Sequence, residues 1–143
     1  MKLLRWWIDN RSPDRIPVLA MTADERERRE LSELAATGQW ELRFAATAGE
    51  ALATLQRGKP AVILCDRDLP NLDWRELFEE VAASRAEYSL ILTSSVYDDS
   101  LWDEVVQRGG YDVLCKPLQP EQALSAVNLA WLYARSGSRV ATG

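Results

Sequence analysis

The sequence alternates short apolar runs with longer amphipathic stretches, and this alternation constrains the fold more than any other feature. Short apolar runs indicate strands that are covered on both faces, and the amphipathic stretches between them indicate helical crossovers. Crossovers of this kind are right-handed and join parallel strands. The chain is therefore predicted to fold as a doubly wound α/β domain with a parallel sheet.

Five units of a strand followed by a helix are predicted from these patterns. The predicted strands cover residues 16–21, 41–46, 61–65, 89–93 and 111–115. Glycines at 38, 58 and 109 mark the ends of the first, second and fourth helices. Asp73 is predicted to cap the third helix, and the last helix is predicted over 119–134.

The length of 143 residues suits one domain. We predict an N-terminal extension over 1–15, the domain itself over 16–134 and a disordered tail over 135–143, which is small and polar. The N-terminal apolar cluster is interrupted by Arg5 and has no small-residue cleavage site, so it is not interpreted as a signal peptide. No apolar run approaches the length that crosses a bilayer, and no contact with a membrane is expected.

The charged and reactive residues exclude several functions. A net charge of -5 argues against a nucleic-acid partner, because affinity for phosphate backbones comes chiefly from clustered lysine and arginine. The charged run 24–30 is interpreted as a solvated helix face. The absence of histidine excludes Ser-His-Asp and Cys-His catalysis and His-ligated zinc. Cys65 and Cys115 lie in apolar runs and are predicted to be buried thiols in a reducing compartment, which indicates the cytoplasm.

Chemically distinctive side chains follow three of the predicted strands where each strand ends. Asp66 follows the third strand, Thr93-Ser94-Ser95 end the fourth and Lys116-Pro117 follow the fifth. Doubly wound folds place their sites beyond the carboxyl ends of the strands. A carboxylate, a hydroxyl and an ammonium are therefore expected to meet at one sheet edge, where they could take up a phosphoryl group and hold its oxygens.

These residues resemble the CheY-like response regulator receiver family over about residues 16 to 134. The resemblance rests on motifs in a fixed order: Asp66, Leu69-Pro70, Asp73, Ser94-Ser95 and Lys116-Pro117. Each motif alone is weak, but their order, separations and shared position at strand ends make the set specific. The resemblance implies a flavodoxin-like sheet with the strand order 2-1-3-4-5.

The resemblance also implies roles for the residues of the site. Asp66 would be the phosphoacceptor, Lys116 would pair with the phosphoryl oxygens and a hydroxyl would act as a switch. Counting back from Lys116 by the usual spacing of the family selects Ser94 rather than Thr93, within one residue. The peptide between Lys116 and Pro117 would be cis. The chain would not be an enzyme beyond phosphorylating and dephosphorylating itself.

Four positions depart from the family pattern. Thr22 and Ala23 stand where the family ends its first strand with two acids that help to bind Mg²⁺. Val113 replaces the usual aromatic switch residue of the fifth strand. Trp74 replaces the glycine that generally follows the loop acid.

Mg²⁺ is consequently expected to bind weakly or not at all. The remaining oxygen donors are Asp66 and Asp68, with Asp24 as a doubtful third, because Asp24 is also predicted to cap the first helix.

Two tryptophans lie on the predicted fourth and fifth helices, the face that receivers commonly use to dimerise or to meet a partner. Trp102 and Trp131 could anchor such an interface, or they could pack against the sheet, and the sequence leaves both interpretations open. The implied partners are a histidine kinase or histidine phosphotransfer protein and a separate downstream effector protein, and a second copy of the chain could bind as a homodimer.

Two functions follow from these observations. The first is a stand-alone receiver that accepts a phosphoryl group on Asp66 and signals through its helix-four and helix-five surface. The alternative is a phosphorylation-independent pseudo-receiver that acts as a binding or dimerisation module. A flavodoxin-like cofactor binder would share the strand order, but the residues after the first strand, 22–25, contain no glycine-rich phosphate loop.

Overall fold

The computed structural model describes residues 15–56, 61–84 and 87–136. It contains one five-stranded parallel sheet with the order β2-β1-β3-β4-β5. The strands are β1 (Ile16–Met21), β2 (Trp40–Phe44), β3 (Ala61–Asp66), β4 (Tyr88–Ser94) and β5 (Asp112–Cys115). The predicted fold class and strand order are therefore confirmed.

A helix follows each strand along the chain. These helices are α1 (Glu25–Gly38), α2 (Ala48–Leu55), α3 (Trp74–Ala83), α4 (Asp99–Gln107) and α5 (Pro120–Ser136). Asp24 and Asp73 cap α1 and α3, because each side chain accepts a hydrogen bond from the backbone N–H two residues later. The predicted cap at Asp73 is thus confirmed.

Two predicted segments have an end that lies two residues away from its place in the structure. The second strand was predicted over 41–46, whereas β2 begins at Trp40 and ends at Phe44. The predicted tail over 135–143 begins too early, because Arg135 and Ser136 belong to α5. The guanidinium of Arg135 lies over the Trp131 ring, 4.6 Å from its centroid, and this contact favours continuation of the helix beyond residue 134. The proposed extension up to residue 14 and the tail from residue 137 lie outside the described residues.

The sheet separates two apolar cores. Residues of one strand face alternate sides, so Leu19, Ile63 and Leu92 pack with α2, α3 and α4, while Val18, Leu64 and Ile91 pack with α1 and α5. All six residues of β3 are buried, as expected for a central strand. Every described helix is too short or too polar to span a membrane.

The two cysteines differ in their environment. Cys65 is fully buried in β3, and this burial raises the pKa of its thiol to about 12, so the thiolate nucleophile is not available at neutral pH. Cys115 is exposed, and the prediction that it is buried was wrong. Cys115 is the last residue of β5, which is an edge strand and therefore has a neighbouring strand on one side only.

Candidate functional site

The parallel register brings the ends of β3, β4 and β5 into one row. Asp66 is paired with Thr93, and Leu114 is the partner of Thr93 on the other side. Lys116 follows Leu114 by two residues, so Asp66, Thr93 and Lys116 lie on the same side of the sheet, next to α1 and α5. The fold therefore gathers the side chains that sequence reasoning placed at these strand ends.

Asp66 and Lys116 form a buried ion pair at this edge. Lys116 Nζ lies 2.8 Å from Asp66 Oδ1, and the Asp66 side chain is only 7% exposed. The backbone N–H of Asp68 donates to the same oxygen at 3.0 Å. The peptide between Lys116 and Pro117 is cis. The expected meeting of the acid and the amine is thus present in the structure.

A second acid, Glu27, reaches the same ammonium from α1. Glu27 Oε2 lies 2.9 Å from Lys116 Nζ, and its side chain is 5% exposed. The hydroxyl of Thr22 donates to Oε2 and that of Thr93 donates to Oε1, both at 3.2 Å. The Glu27 carboxylate therefore accepts from one ammonium and two hydroxyls. A carboxylate accepts hydrogen bonds and has no hydrogen to donate, so the two threonine hydroxyls are the donors.

The interpretation of 24–30 as a solvated helix face was wrong for Glu27, which sequence reasoning missed as a site residue. The buried positions of α1 are Glu27, Leu31, Leu34 and Ala35. They recur at the spacing of one helix face, so Glu27 continues the apolar stripe of α1 by one turn towards the end of β1. That stripe is the signal in the sequence, because an acid on a buried stripe requires a buried partner.

The two acids determine the protonation state of Lys116. Burial alone would lower the pKa of Lys116, but the hydrogen bonds that its ammonium donates to Asp66 and Glu27 outweigh this effect and raise the pKa above the ordinary lysine value. Lys116 is therefore an ammonium at neutral pH. The formal charges of Asp66, Glu27 and Lys116 sum to -1, so the pocket holds one more carboxylate than its lysine can offset.

The hydroxyl in contact with this network belongs to Thr93. Ser94, the predicted switch residue, is fully buried, but its Oγ donates to the carbonyl oxygen of Val96 at 2.6 Å and accepts from the Val96 N–H at 3.1 Å. Its backbone carbonyl accepts from the N–H of Lys116 at 2.9 Å. Ser94 thus lies beside the site with its hydroxyl turned into its own loop. Its role as a switch stays a prediction, and Thr93 joins it as a candidate.

The donor set does not fit the magnesium site that the family builds. Thr22 and Ala23 end β1 without a carboxylate, Asp24 uses its side chain to cap α1, and the side chain of Asp68 is exposed. Within the described ranges, no three acids, cysteines or histidines gather closely enough to hold a metal ion. The Lys116 ammonium lies between the two carboxylates that remain.

The aromatic positions singled out from the sequence fall into two groups. Trp131 is 9% exposed and belongs to the core on the α1 and α5 side of the sheet. Trp102 is 39% exposed on α4 and is available to a partner. Val113, at the position of the usual aromatic switch, is buried in β5.

A second ionic group joins α3 to α4 on the opposite side of the sheet. Arg75 of α3 forms a bidentate pair with Glu104 of α4, and Arg108 donates to the same carboxylate at 2.9 Å. Both guanidiniums lie over the ring of Trp74, with centroid distances of 4.7 Å for Arg75 and 6.0 Å for Arg108. The tryptophan that replaces the loop glycine therefore packs beneath an ionic link between two helices.

Because of this link between α3 and α4, the free energy of unfolding is expected to decrease as pH falls in the acidic range. The hydrogen bond from Arg75 lowers the pKa of Glu104 from 4.5 to about 2. A lowered folded-state pKa contributes stability that is present above the unfolded value and is lost as pH falls through the folded value. Replacing Glu104 with glutamine is expected to cost about 1 kcal/mol at pH 7, because solvent screens a pair that is partly exposed. In urea unfolding, the difference from wild type should shrink between pH 4.5 and pH 2. A constant difference across this range would contradict the assignment.

Comparison with known proteins agrees with the fold. The sheet order and the acid–lysine pair define a CheY-like α/β domain, and the family model of the response regulator receiver domain matches residues 24–128. The chain therefore belongs to the response regulator receiver domain family. Among solved structures, the signal receiver domain of a putative Luxo repressor protein from Vibrio parahaemolyticus superposes with a TM-score of 0.77 at 20% identity. The match covers 88% of this chain and 97% of that chain.

Two curated relatives match part of the chain. It is 24% identical over 79 residues to the chemotaxis protein CheY of Bacillus subtilis, which is 55% of this chain and 66% of CheY. It is 27% identical over 85 residues to the C4-dicarboxylate transport transcriptional regulatory protein DctD of Rhizobium meliloti, which is 59% of this chain but only 18% of DctD. These matches support the receiver assignment but span only parts of the relatives.

One further structure includes a partner. A chain in the co-crystal structure of the Saccharomyces cerevisiae histidine phosphotransfer signaling protein Ypd1 with the receiver domain of its downstream response regulator Ssk1 matches with a TM-score of 0.73 at 16% identity. The match covers 83% of this chain and 90% of that chain. At this identity the likeness shows the fold.

Proposed function

We propose that this receiver domain relays a signal by accepting a phosphoryl group on Asp66. The observation that carries the proposal is the pairing of Asp66 Oδ1 with Lys116 Nζ at 2.8 Å in a buried site at the carboxyl edge of the sheet. In the proposed step, an Asp66 carboxylate oxygen forms a bond to phosphorus while the bond from phosphorus to the donor's histidine nitrogen breaks. Lys116 offsets part of the negative charge that the phosphoryl oxygens bring.

The proposed donor is a histidine kinase or a histidine phosphotransfer protein, as the Ypd1–Ssk1 pair illustrates for another receiver. The chain itself contains no histidine and therefore depends on a separate donor. A cytoplasmic location is proposed on the same grounds, because such donors present their phosphohistidine there. Beyond this transfer and the hydrolysis of the resulting aspartyl phosphate by water, which releases inorganic phosphate, no catalytic activity is proposed.

The proposed output surface is formed by α4, α5 and the loop before α4. The exposed large apolar side chains among the described residues all lie in these segments: Val96, Tyr97, Trp102, Val106, Leu129, Leu132 and Tyr133. Grouping of exposed apolar residues is typical of surfaces that bind another protein. A separate effector protein or a second copy of the chain is therefore proposed to bind here, with Trp102 as an anchor.

The proposal is tested by incubating the protein with acetyl phosphate and Mg²⁺ and measuring its intact mass. Wild type is expected to gain one phosphoryl group, and Asp66→Asn is expected to gain none because the acceptor oxygen is lost. Asp103→Asn is the matched control, since Asp103 is an exposed acid on α4 away from the acceptor pocket, and this variant should gain the phosphoryl group. No gain in wild type, or an equal gain in Asp66→Asn, would overturn the proposal.

Mg²⁺ is proposed to bind weakly or not at all, with Asp66 and Asp68 as its protein ligands. Titration with millimolar Mg²⁺ is expected to shift the amide signals of Asp66 and Asp68 only slightly and without saturation. Saturation at micromolar Mg²⁺ would show that the pocket builds a tight site despite Thr22 and Ala23.

The buried Glu27 carboxylate favours a second candidate function, a phosphorylation-independent pseudo-receiver. Glu27 already binds the Lys116 ammonium and the Thr93 hydroxyl, which are donors that a phosphoryl group would require. In that case the chain would act as a constitutive binding or dimerisation module through the same α4 and α5 surface. A chain that gains no mass but still self-associates or binds its effector would support this function.

A further inference from the structure

The arrangement around Glu27 has the donor pattern of an oxyanion site. One ammonium and two hydroxyls converge on a single carboxylate: Lys116 at 2.9 Å, and Thr22 and Thr93 at 3.2 Å each. Each of these groups donates to an anion, and their number matches what a bound phosphoryl or phosphate oxygen set would accept. The chain therefore supplies an anion to its own oxyanion-binding donors.

The placement of Glu27 on α1 holds the carboxylate in this position. Glu27 lies in the first turn of α1, where Asp24 caps the helix and Thr22 Oγ1 also accepts from the Asp24 N–H at 3.1 Å. Leu31 and Leu34, one and two turns later on the same stripe, are buried in the core and fix the rotation of the helix. A buried carboxylate held in this way is not free to leave into solvent without losing all of its donors.

We propose that Glu27 is the resident anion of the acceptor pocket and that it competes with any oxyanion for Lys116, Thr22 and Thr93. The pocket carries a formal charge of -1 with Glu27 in place, and an entering phosphate would raise the negative charge further with no metal site of the family type to offset it. Glu27 thus keeps the unmodified pocket closed. The inference deepens the proposed function and rests on it in one respect, because a phosphoryl group on Asp66 would require the same donors.

The test compares Glu27→Gln with wild type and with Glu25→Gln. Glu25 is the matched control, since it lies in the same first turn of α1 but is exposed, and both substitutions remove one negative charge. Inorganic phosphate is titrated while the amide signals of Thr93 and Lys116 are followed at constant ionic strength. Glu27→Gln is expected to bind phosphate at least about tenfold more tightly than wild type, whereas Glu25→Gln should stay within about twofold of it. Equal or weaker binding by Glu27→Gln would overturn the proposal.

A second variant keeps the test decisive if Glu27→Gln folds poorly. Glu27→Ala leaves Lys116, Thr22 and Thr93 facing a polar space of about carboxylate size. Acetate is expected to raise its midpoint of thermal unfolding relative to chloride at equal ionic strength, and Glu25→Ala is expected to show no such rescue. Absence of rescue would show that the carboxylate site accepts no external anion and would contradict the inference.

Acetyl phosphate separates this inference from the proposed function. Tighter phosphate binding by Glu27→Gln with no mass gain in any variant would refute phosphorylation of Asp66 and support the resident anion. A mass gain in wild type with unchanged phosphate binding in Glu27→Gln would do the reverse. If both hold, Glu27→Gln should be phosphorylated faster than wild type.

Discussion

Replacing Lys116 with methionine is expected to lower the free energy of unfolding by about 3 kcal/mol, because it leaves two buried carboxylates without their shared cation. Lys116 Nζ lies within 3 Å of both, at 2.8 Å from Asp66 and 2.9 Å from Glu27. Methionine keeps most of the length and volume of the lysine stem, so the loss reports the charge and not the packing. Urea unfolding at pH 7 gives the measurement.

A double-mutant cycle identifies the cause of this loss. Adding Glu27→Gln to Lys116→Met removes one of the two unpaired carboxylates and should recover about half of the lost stability. Arg26→Met is the surface control, because Arg26 is an exposed cation on the same α1 turn, and it is expected to change stability by less than about 0.5 kcal/mol. Strict additivity of Lys116→Met and Glu27→Gln would show that the two side chains do not stabilise each other.

The pH dependence of this variant follows from Lys116. Its pKa is raised above 10.5 in the folded state, so its pairing stabilises the fold below pH 10.5 and is lost as pH rises through the folded value. The difference between wild type and Lys116→Met should therefore be constant near neutral pH and shrink in strong alkali.

The second large effect is expected from Phe78→Ala, which should cost about 3–5 kcal/mol of unfolding free energy. Phe78 is fully buried on α3, and its ring meets that of Trp74 edge to face with centroids 5.0 Å apart. Truncation would open a cavity in the core on the α3 and α4 side of the sheet and remove the ring contact. Phe78→Leu keeps most of the volume and should cost about 1–2 kcal/mol, and the exposed neighbour Glu80→Ala should be nearly neutral.

The same variant tests whether packing and chemistry are separate. Because Phe78 lies in the core on the α3 and α4 side of the sheet, opposite the Asp66, Glu27 and Lys116 network, any folded Phe78→Leu protein should respond to acetyl phosphate as wild type does. If Phe78→Ala changed the unfolding free energy no more than a surface substitution does, the core around α3 would not be formed as described.

Periodicity carried the fold because each strand and helix repeats its pattern over several residues. Strand 61–65 was predicted from an uninterrupted apolar run, and the structure buries every residue of β3. The ends of the strands were harder to predict. In β2 the apolar and polar residues alternate weakly, and its pairing with β1 ends at Phe44, before the last two predicted residues. Likewise, the prediction ended the last helix at residue 134, although Arg135 lies four residues after Trp131, the spacing at which two side chains meet on a helix.

The site was predictable where residues follow strands and unpredictable where they reach across from a helix. Asp66 and Lys116 follow from strand ends and parallel register, and their pairing is confirmed. Glu27 was hidden within a charged run whose other members are mostly exposed, and only its phase with Leu31 reveals it. The switch hydroxyl was chosen by spacing, which cannot determine where a rotatable Oγ points, and the structure turns Ser94 towards Val96.

The first-turn position of Glu27 changes how the acidity of this receiver pocket should be judged. A comparison made position by position along the sequence finds Thr22 and Ala23 directly after β1, where the family has two acids. By that comparison the pocket lacks acidic residues. The pocket nevertheless contains a carboxylate, because Glu27 reaches Lys116 from the first turn of α1. Counting carboxylates by their position in space therefore classifies this pocket as acidic. Counting them by sequence position would miss Glu27.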